Sequence, residues 1–138
     1  MKHRLNLLSA ALLAGCTGSL EPPGKQLAII GAGPPSNVFP GIPDTVGPGP
    51  TTIRYHSYGS STCNRPAGEA VETQATAVVI TAYDEYVPPN TPCTADFATY
   101  NRSVVVPLTR GMVAIRLRGL ELSGNSTPKE ITKTIVVR

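Results

Sequence analysis

The 138-residue chain has 12 Lys and Arg residues against 9 Asp and Glu residues, a formal net charge of +3 at pH 7. Lys2 and Arg4 lie in the first four residues, so the rest of the chain holds ten basic and nine acidic residues. A balance this close to neutral argues against a nucleic-acid-binding protein, for which a basic surface is the electrostatic signature. The length favours a single domain.

The N-terminus has the pattern of an export signal. Lys2, His3 and Arg4 are followed by an apolar run that begins at Leu5. As a helix, residues 5–15 would span about 16 Å, roughly half of a bilayer core, which is the length of a secretory signal and too short for a spanning helix. Because the chain has no other long apolar run, no other segment is predicted to cross a membrane.

The apolar run ends in Leu13-Ala14-Gly15-Cys16, which resembles the lipobox of bacterial lipoproteins. The resemblance implies that residues 1–15 are a signal peptide and that Cys16 becomes an acylated first residue of the mature chain, with palmitate as an expected fatty acid. Thr17 follows Cys16, and in this family a residue other than Asp there implies export to the outer membrane, if the cell has one. The alternative is an ordinary cleavable signal in which Cys16 is incidental.

The cysteine count fits the same interpretation. If Cys16 carries lipid, Cys63 and Cys93 remain as one pair in an oxidising compartment, where disulfides form. A bridge between them would close a loop of about thirty residues and stabilise the fold by about 3–4 kcal/mol on the loop-entropy model. The alternative is a pair of thiols that bind a metal, but further ligands at the usual close spacing are lacking.

Residues 16–50 are predicted to be a Pro/Gly-rich tether. Prolines recur through this stretch, and each removes a backbone donor, so a helix or a central strand is not expected to run through it. Residues 27–31 are the exception, because their apolar β-prone sequence favours docking as a first edge strand. Gly31 and Gly33 resemble the start of a dinucleotide-binding turn, but the helix and the third Gly that this motif needs are missing.

From residue 51 onward, alternating and β-branched sequence predicts strands and a β-sandwich domain over 51–138. The predicted strands cover residues 51–58, 71–83 (strongest over 76–83), 103–108, 112–118 and 131–137. The short connection Thr109-Arg110-Gly111 predicts a hairpin between the third and fourth of these. The fold class is therefore all-β, a small antiparallel β-sandwich of immunoglobulin-like architecture that lacks the usual buried Trp.

Residues 75–120 resemble bacterial lipoproteins that carry small β-sandwich domains. The resemblance rests on Cys93 between two strands and on Arg102-Ser103-Val104-Val105-Val106 before a turn. It covers about a third of the chain and implies a β-sandwich held at a membrane.

Catalytic and cofactor sites are not predicted. His56 is the one histidine after the signal, no Gly-x-Ser-x-Gly elbow is present, and copper or zinc would need more ligands. Asp84 and Glu85 are adjacent and would point to opposite faces of a strand, so they are read as solvated loop acids and not as an acid–base pair or a calcium site.

Two groups of side chains are candidates for partner contact. Arg116 and Arg118 share a strand face and, with Arg110 and Arg102, form either a basic patch or an ordinary solvent face that discourages edge pairing. Tyr83, Tyr86 and Tyr100 are expected near the loop 86–96 around Cys93, where they either anchor a partner or merely cap the sandwich.

The sequence therefore predicts a non-enzymatic, lipid-anchored protein of the cell envelope that binds an envelope protein or serves as an accessory subunit of an envelope complex. The alternative is an inhibitor or ligand-binding domain, outside the cytoplasm, that acts through the 86–96 loop.

Overall fold

The computed structural model describes residues 21–31, 35–122 and 127–138. The predicted signal and Cys16 lie outside the described residues. The described part of the chain forms nine strands and one helical turn: β1 Lys25–Leu27, β2 Ile29–Gly31, α1 Pro35–Val38, β3 Thr45–Val46, β4 Gly49–Gly59, β5 Pro66–Thr73, β6 Ala77–Glu85, β7 Ala98–Leu108, β8 Gly111–Glu121 and β9 Pro128–Val137. The all-β prediction is confirmed. In these ranges, no helix has the length and apolar character needed to cross a membrane.

The strands form one curled, mixed sheet. Its hydrogen-bonded order is β7-β4-β2-β8-β6-β5, in which β2 and β6 pair with successive parts of one edge of β8. β9 pairs along the opposite edge of β8, β3 pairs with β9, and β1 pairs with β6. β6 and β8 run parallel, as do β2 and β8, and β3 and β9. The predicted antiparallel arrangement therefore does not describe this sheet. An alternating sequence records which face of a strand is buried but does not record the direction of its neighbours.

The connection Thr109-Arg110-Gly111 does not make the predicted hairpin. β7 pairs with β4 along its whole length, from Gly49 opposite Leu108 to Gly59 opposite Ala98. β8 pairs instead with β9 on one edge and with β6 on the other. The chain thus arches from one pair of neighbours to another, so the hairpin prediction is wrong. Both edges of β8 are already used in long ladders, which leaves no edge for β7.

The region predicted as one strand over residues 71–83 is a hairpin of β5 and β6. These strands pair antiparallel, and the N–H of Gln74 donates to the carbonyl of Ala77 over 2.8 Å at the turn. β6 is buried on both faces in its first half, as expected for a central strand, because Val78, Val79 and Ile80 are at most 1% exposed.

β1 and β2 form a wedge, here defined as residues 25–31, between two strands of the sheet. β1 pairs with the end of β6 and β2 with the end of β8. Between them, Ala28 donates its N–H to the carbonyl of Ala82 over 2.9 Å and accepts from the N–H of Leu120 over 2.8 Å. The stretch predicted as an edge strand of the tether therefore lies inside the sheet, which begins at Lys25.

Residues 35–46 also pack against the sheet, within the stretch predicted as a tether. Val38 and Phe39 are nearly fully buried and belong to the core. The Lys133 ammonium of β9 donates to the carbonyl of Ile42 and lies 3.4 Å from a carboxylate oxygen of Asp44. Val38 and Phe39 complete a core that is otherwise built from aliphatic and aromatic side chains of the long strands β4, β6, β7, β8 and β9. These side chains are Ile53, Tyr55, Val78, Ile80, Val106, Ile115, Leu117, Ile131 and Ile135.

Gly119 lets the wedge approach β8, and its replacement tests this packing. A Cβ at Gly119 would lie 2.3 Å from the carbonyl oxygen of Ala28 and 2.9 Å from Cγ2 of Ile30. We expect Gly119→Ala to lower the free energy of unfolding by about 1–3 kcal/mol, as overpacking does, in denaturant titrations. Gly47→Ala is the control, because a Cβ at Gly47 meets nothing within 4 Å. Equal stability of the two variants would contradict this account of the wedge.

Candidate binding surface at the disulfide

The Cys63–Cys93 disulfide predicted from the sequence is present. It joins the turn after β4 to the loop between β6 and β7, and the two Cα atoms are 5.6 Å apart. This separation lies within the range of about 4.4–6.8 Å that disulfides allow. The bridge holds the loop 86–97, which would otherwise be a long connection without strands of its own.

Besides the disulfide, hydrogen bonds also join this loop to the turn after β4. The N–H of Ser61 donates to both carboxylate oxygens of Asp96 at 3.2 Å, and the N–H of Thr94 donates to the Thr62 hydroxyl at 3.0 Å. The Thr94 hydroxyl also donates to Asp96. Hydrogen bonds from Thr94 and Ser61 lower the pKa of Asp96 below its ordinary value, because they favour the ionised carboxylate. At neutral pH Asp96 is therefore ionised and can accept these hydrogen bonds, which join the loop to the turn after β4.

Two aromatic rings are exposed at the ends of this loop. Tyr86 is 53% exposed at its start, and Phe97 is 57% exposed at its end. Phe97 stacks on the buried ring of Tyr58, with ring centroids 5.6 Å apart and planes inclined by 13°. Phe97 was not among the residues predicted from the sequence. Its position was nevertheless a signal, because it directly follows the polar segment of the loop, where packing within a strand does not explain an aromatic residue.

The three predicted tyrosines differ in their surroundings. Tyr86 is largely exposed, whereas Tyr83 and Tyr100 are half-buried. The Tyr100 hydroxyl donates to the carbonyl of Ser60 over 3.2 Å, beside the disulfide. The Lys25 ammonium lies 5.9 Å from the centroid of the Tyr83 ring, a cation–π contact. Of the three, only Tyr86 offers most of its ring to a partner.

The predicted arginine patch is divided between the surface and the interior. Arg116 and Arg118 lie on the outer face of β8, and Glu130 of β9 faces both, 2.8 Å from Arg118 and 3.9 Å from Arg116. Arg110 is exposed in the turn before β8. Arg102, in contrast, is buried on the inner face of β7, so the expectation that it joins this patch is wrong. Glu130 offsets part of the remaining positive charge.

Arg102 forms a buried ion pair with Asp84 of β6. One guanidinium nitrogen donates to the Asp84 carboxylate and to the carbonyl of Tyr83 at 2.9 Å. The side-chain amide of Asn64 donates to Asp84 over 3.4 Å, which ties the turn that carries Cys63 to the same pair. The prediction that Asp84 is a solvated loop acid is therefore wrong, because its side chain is buried. Its neighbour Glu85 is exposed.

A side-chain hydrogen bond between β4 and β5 adjoins the ion pair. Tyr55 of β4 lies opposite Arg102 in the ladder and donates its hydroxyl to Glu69 of β5 over 2.8 Å. Burial raises the pKa of the Tyr55 hydroxyl well above its ordinary value, so the hydroxyl stays protonated and keeps donating. The two contacts together join β4 and β7 to β5 and β6.

His56 contacts the backbone of the helical turn α1 and a neighbouring aromatic ring. Its Nδ1 lies 3.0 Å from the carbonyl oxygen of Asn37, and its ring meets Tyr58 edge-on. It lines an open cleft with Arg54, Asn101 and Ser103. Among the residues that the structure describes, no group of three or more His, Cys, Asp or Glu side chains is placed to hold a metal ion.

No protein-family model, no curated protein and no solved structure matches this chain.

The buried ion pair predicts a pH-dependent stability. Burial raises the pKa of Asp84, and Arg102 and Asn64 oppose that rise. Removing the guanidinium with Arg102→Met leaves a buried carboxylate without its cation, which costs about 3–5 kcal/mol at pH 7. Near pH 3.5 Asp84 is protonated in both folded proteins, because the folded pKa is raised, so the loss should be small there. The loss should grow as pH rises from the folded pKa of the wild type toward the still higher folded pKa of the variant, which lacks the opposing guanidinium.

Arg118→Met is the matched control, because it removes a half-exposed partner of Glu130 and should change stability by less than about 1 kcal/mol. Urea titrations of both variants at the two pH values give the comparison. A loss for Arg102→Met that equals the control, or that does not change with pH, would contradict this role of the pair.

Proposed function

We propose that this chain is a lipid-anchored, non-enzymatic binding protein of the cell envelope. In the proposal an acylated Cys16 holds an immunoglobulin-like β-sandwich at a membrane, the outer one if the cell has two. The loop 86–97 is its contact surface and an envelope protein is its partner. The Leu13-Ala14-Gly15-Cys16 sequence supports the anchor, and the disulfide supports an oxidising compartment.

The observation that carries the proposal is an exposed aromatic ring on a loop held in one conformation. The disulfide and the Asp96 hydrogen bonds restrict the loop before it meets a partner. Binding then orders few additional torsions, which preserves affinity. Phe97 presents a free aromatic face above Tyr58, and aromatic side chains are enriched among the residues that dominate binding energy.

Co-purification from detergent-solubilised membranes tests this proposal. We expect the wild-type protein to retain a specific envelope protein and Phe97→Ser to lose it by about tenfold or more, a typical hot-spot effect. Val105→Ser is the matched control, since Val105 is 63% exposed on β7 and its loss should leave binding unchanged. Circular dichroism should show that both variants remain folded.

Three outcomes contradict parts of the proposal. If both variants retain the partner, the contact surface lies elsewhere, as on the Arg116 and Arg118 face. If a small molecule and no protein is recovered, the alternative of a ligand-binding domain that uses the same loop gains support. Recovery of no partner by the wild type would reject the binding function itself.

A further inference from the structure

The chain enters the sheet beside the start of the contact loop. The N–H of Lys25 donates to the carbonyl of Pro22 over 3.1 Å, which closes a turn just before β1. The N–H of Tyr86 donates to the carbonyl of Gly24 in that turn over 3.0 Å, and the N–H of Glu85 donates to the carbonyl of Arg65 over 2.8 Å. We call residues 21–25, 64–65 and 85–89 together the entry end of the molecule.

We propose that the entry end lies on the bilayer surface, with Tyr86 in the headgroup region of the leaflet that holds the lipid of Cys16. This inference rests on the proposed lipid anchor and adds the orientation of the domain. It assigns Tyr86 to lipid and Phe97 to the protein partner.

Phe97 lies at the same end of the sheet, because Tyr58 beneath it is opposite Ile29. Ile29 is in turn opposite Leu120 at the end of β8. The partner must therefore meet Phe97 close to the membrane surface.

The length of chain between the anchor and the entry end supports this orientation. Six peptide steps separate Cys16 from Pro22, so Pro22 lies within about 20 Å of the acylated residue even if these steps are fully extended. β8 has 11 residues and a length of about 36 Å. An inverted domain standing on its opposite end would hold the entry end about 36 Å above the bilayer, beyond this reach.

The surface chemistry of the entry end also fits a bilayer. Tyr86 has an apolar ring and a polar hydroxyl, and tyrosine is enriched where membranes meet water. Pro23, Pro88 and Pro89 are exposed nearby and offer no backbone N–H that must be desolvated.

The charges of the entry end cancel. Its four charged side chains are Glu21, Lys25, Arg65 and Glu85, two acidic and two basic. With no net charge, electrostatic attraction to anionic lipids is not the source of the contact. The aromatic ring and the prolines supply it, so zwitterionic lipid is sufficient and salt has little effect on it.

A tryptophan probe tests the orientation directly, because the chain contains no Trp. The acylated protein is placed in phosphatidylcholine vesicles whose acyl chains carry bromine, which quenches tryptophan at short range. We expect the fluorescence of Tyr86→Trp to fall about twofold relative to ordinary vesicles, as for an interfacial ring, with little dependence on salt.

Met112→Trp is the matched control. Met112 is 68% exposed near the start of β8, and the parallel register of β6 with β8 places it about 36 Å from the level of Tyr86. It should keep nearly all of its fluorescence. Pro89→Trp provides a second probe in the entry end and should be quenched like Tyr86→Trp.

The results separate the anchor from the orientation. Failure of the protein to sediment with vesicles would reject the lipid anchor, and the proposed function with it. Sedimentation with equal quenching at Tyr86 and Met112 would reject the orientation alone. If the Tyr86→Trp probe is shielded from water in native membranes but not in protein-free vesicles, the inference is overturned and Tyr86 is assigned to a protein partner.

Discussion

The buried ion pair between Arg102 and Asp84 joins strands that are far apart in the strand order of the sheet. β7 is at one end of that order, while β6 and β5 are at the other. The guanidinium binds both, since it reaches Asp84 and Tyr83 of β6 and lies 3.5 Å from the carbonyl of Gly68 in β5. Breaking a buried pair is costly, because it leaves the remaining charge buried without its partner. The pair thus links the two ends of the curled sheet.

The same pair orders the surface that we propose as functional. The side-chain amide of Asn64 donates to Asp84, and its side-chain oxygen accepts a hydrogen bond from the N–H of Ser60 at 2.9 Å. These hydrogen bonds hold the turn after β4, and the disulfide joins that turn covalently to the loop 86–97. Gly59 allows the close approach of Asn64, since a Cβ there would lie 2.3 Å from that side chain. The buried ion pair, the turn after β4 and the disulfide are thus connected to one another and to the loop that carries Tyr86 and Phe97.

The sequence predicts the strands better than it predicts their partners. Residues 51–58 and 131–137 alternate in burial, so their strand character and inner faces could be read directly. The parallel pairing of β6 with β8 could not, because alternation is the same for either direction. Asp84 and Arg102 were misplaced because charged residues are usually exposed, yet their positions carried a signal. Asp84 continues the inward series of Val78, Ile80 and Ala82, and Arg102 continues that of Val104 and Val106, so both fall on buried faces. Phe97 was overlooked because loop residues have no such period.

The central claim is that the domain works at a membrane, held there through Cys16. Intact-mass spectrometry of the protein isolated from native membranes, without reduction, tests it most directly. The account predicts a chain that begins at Cys16 and carries fatty acyl groups, with a mass lower by two hydrogens for the bridge between Cys63 and Cys93. A chain that retains its first fifteen residues, begins at another residue, or begins at Cys16 without added acyl mass would contradict it.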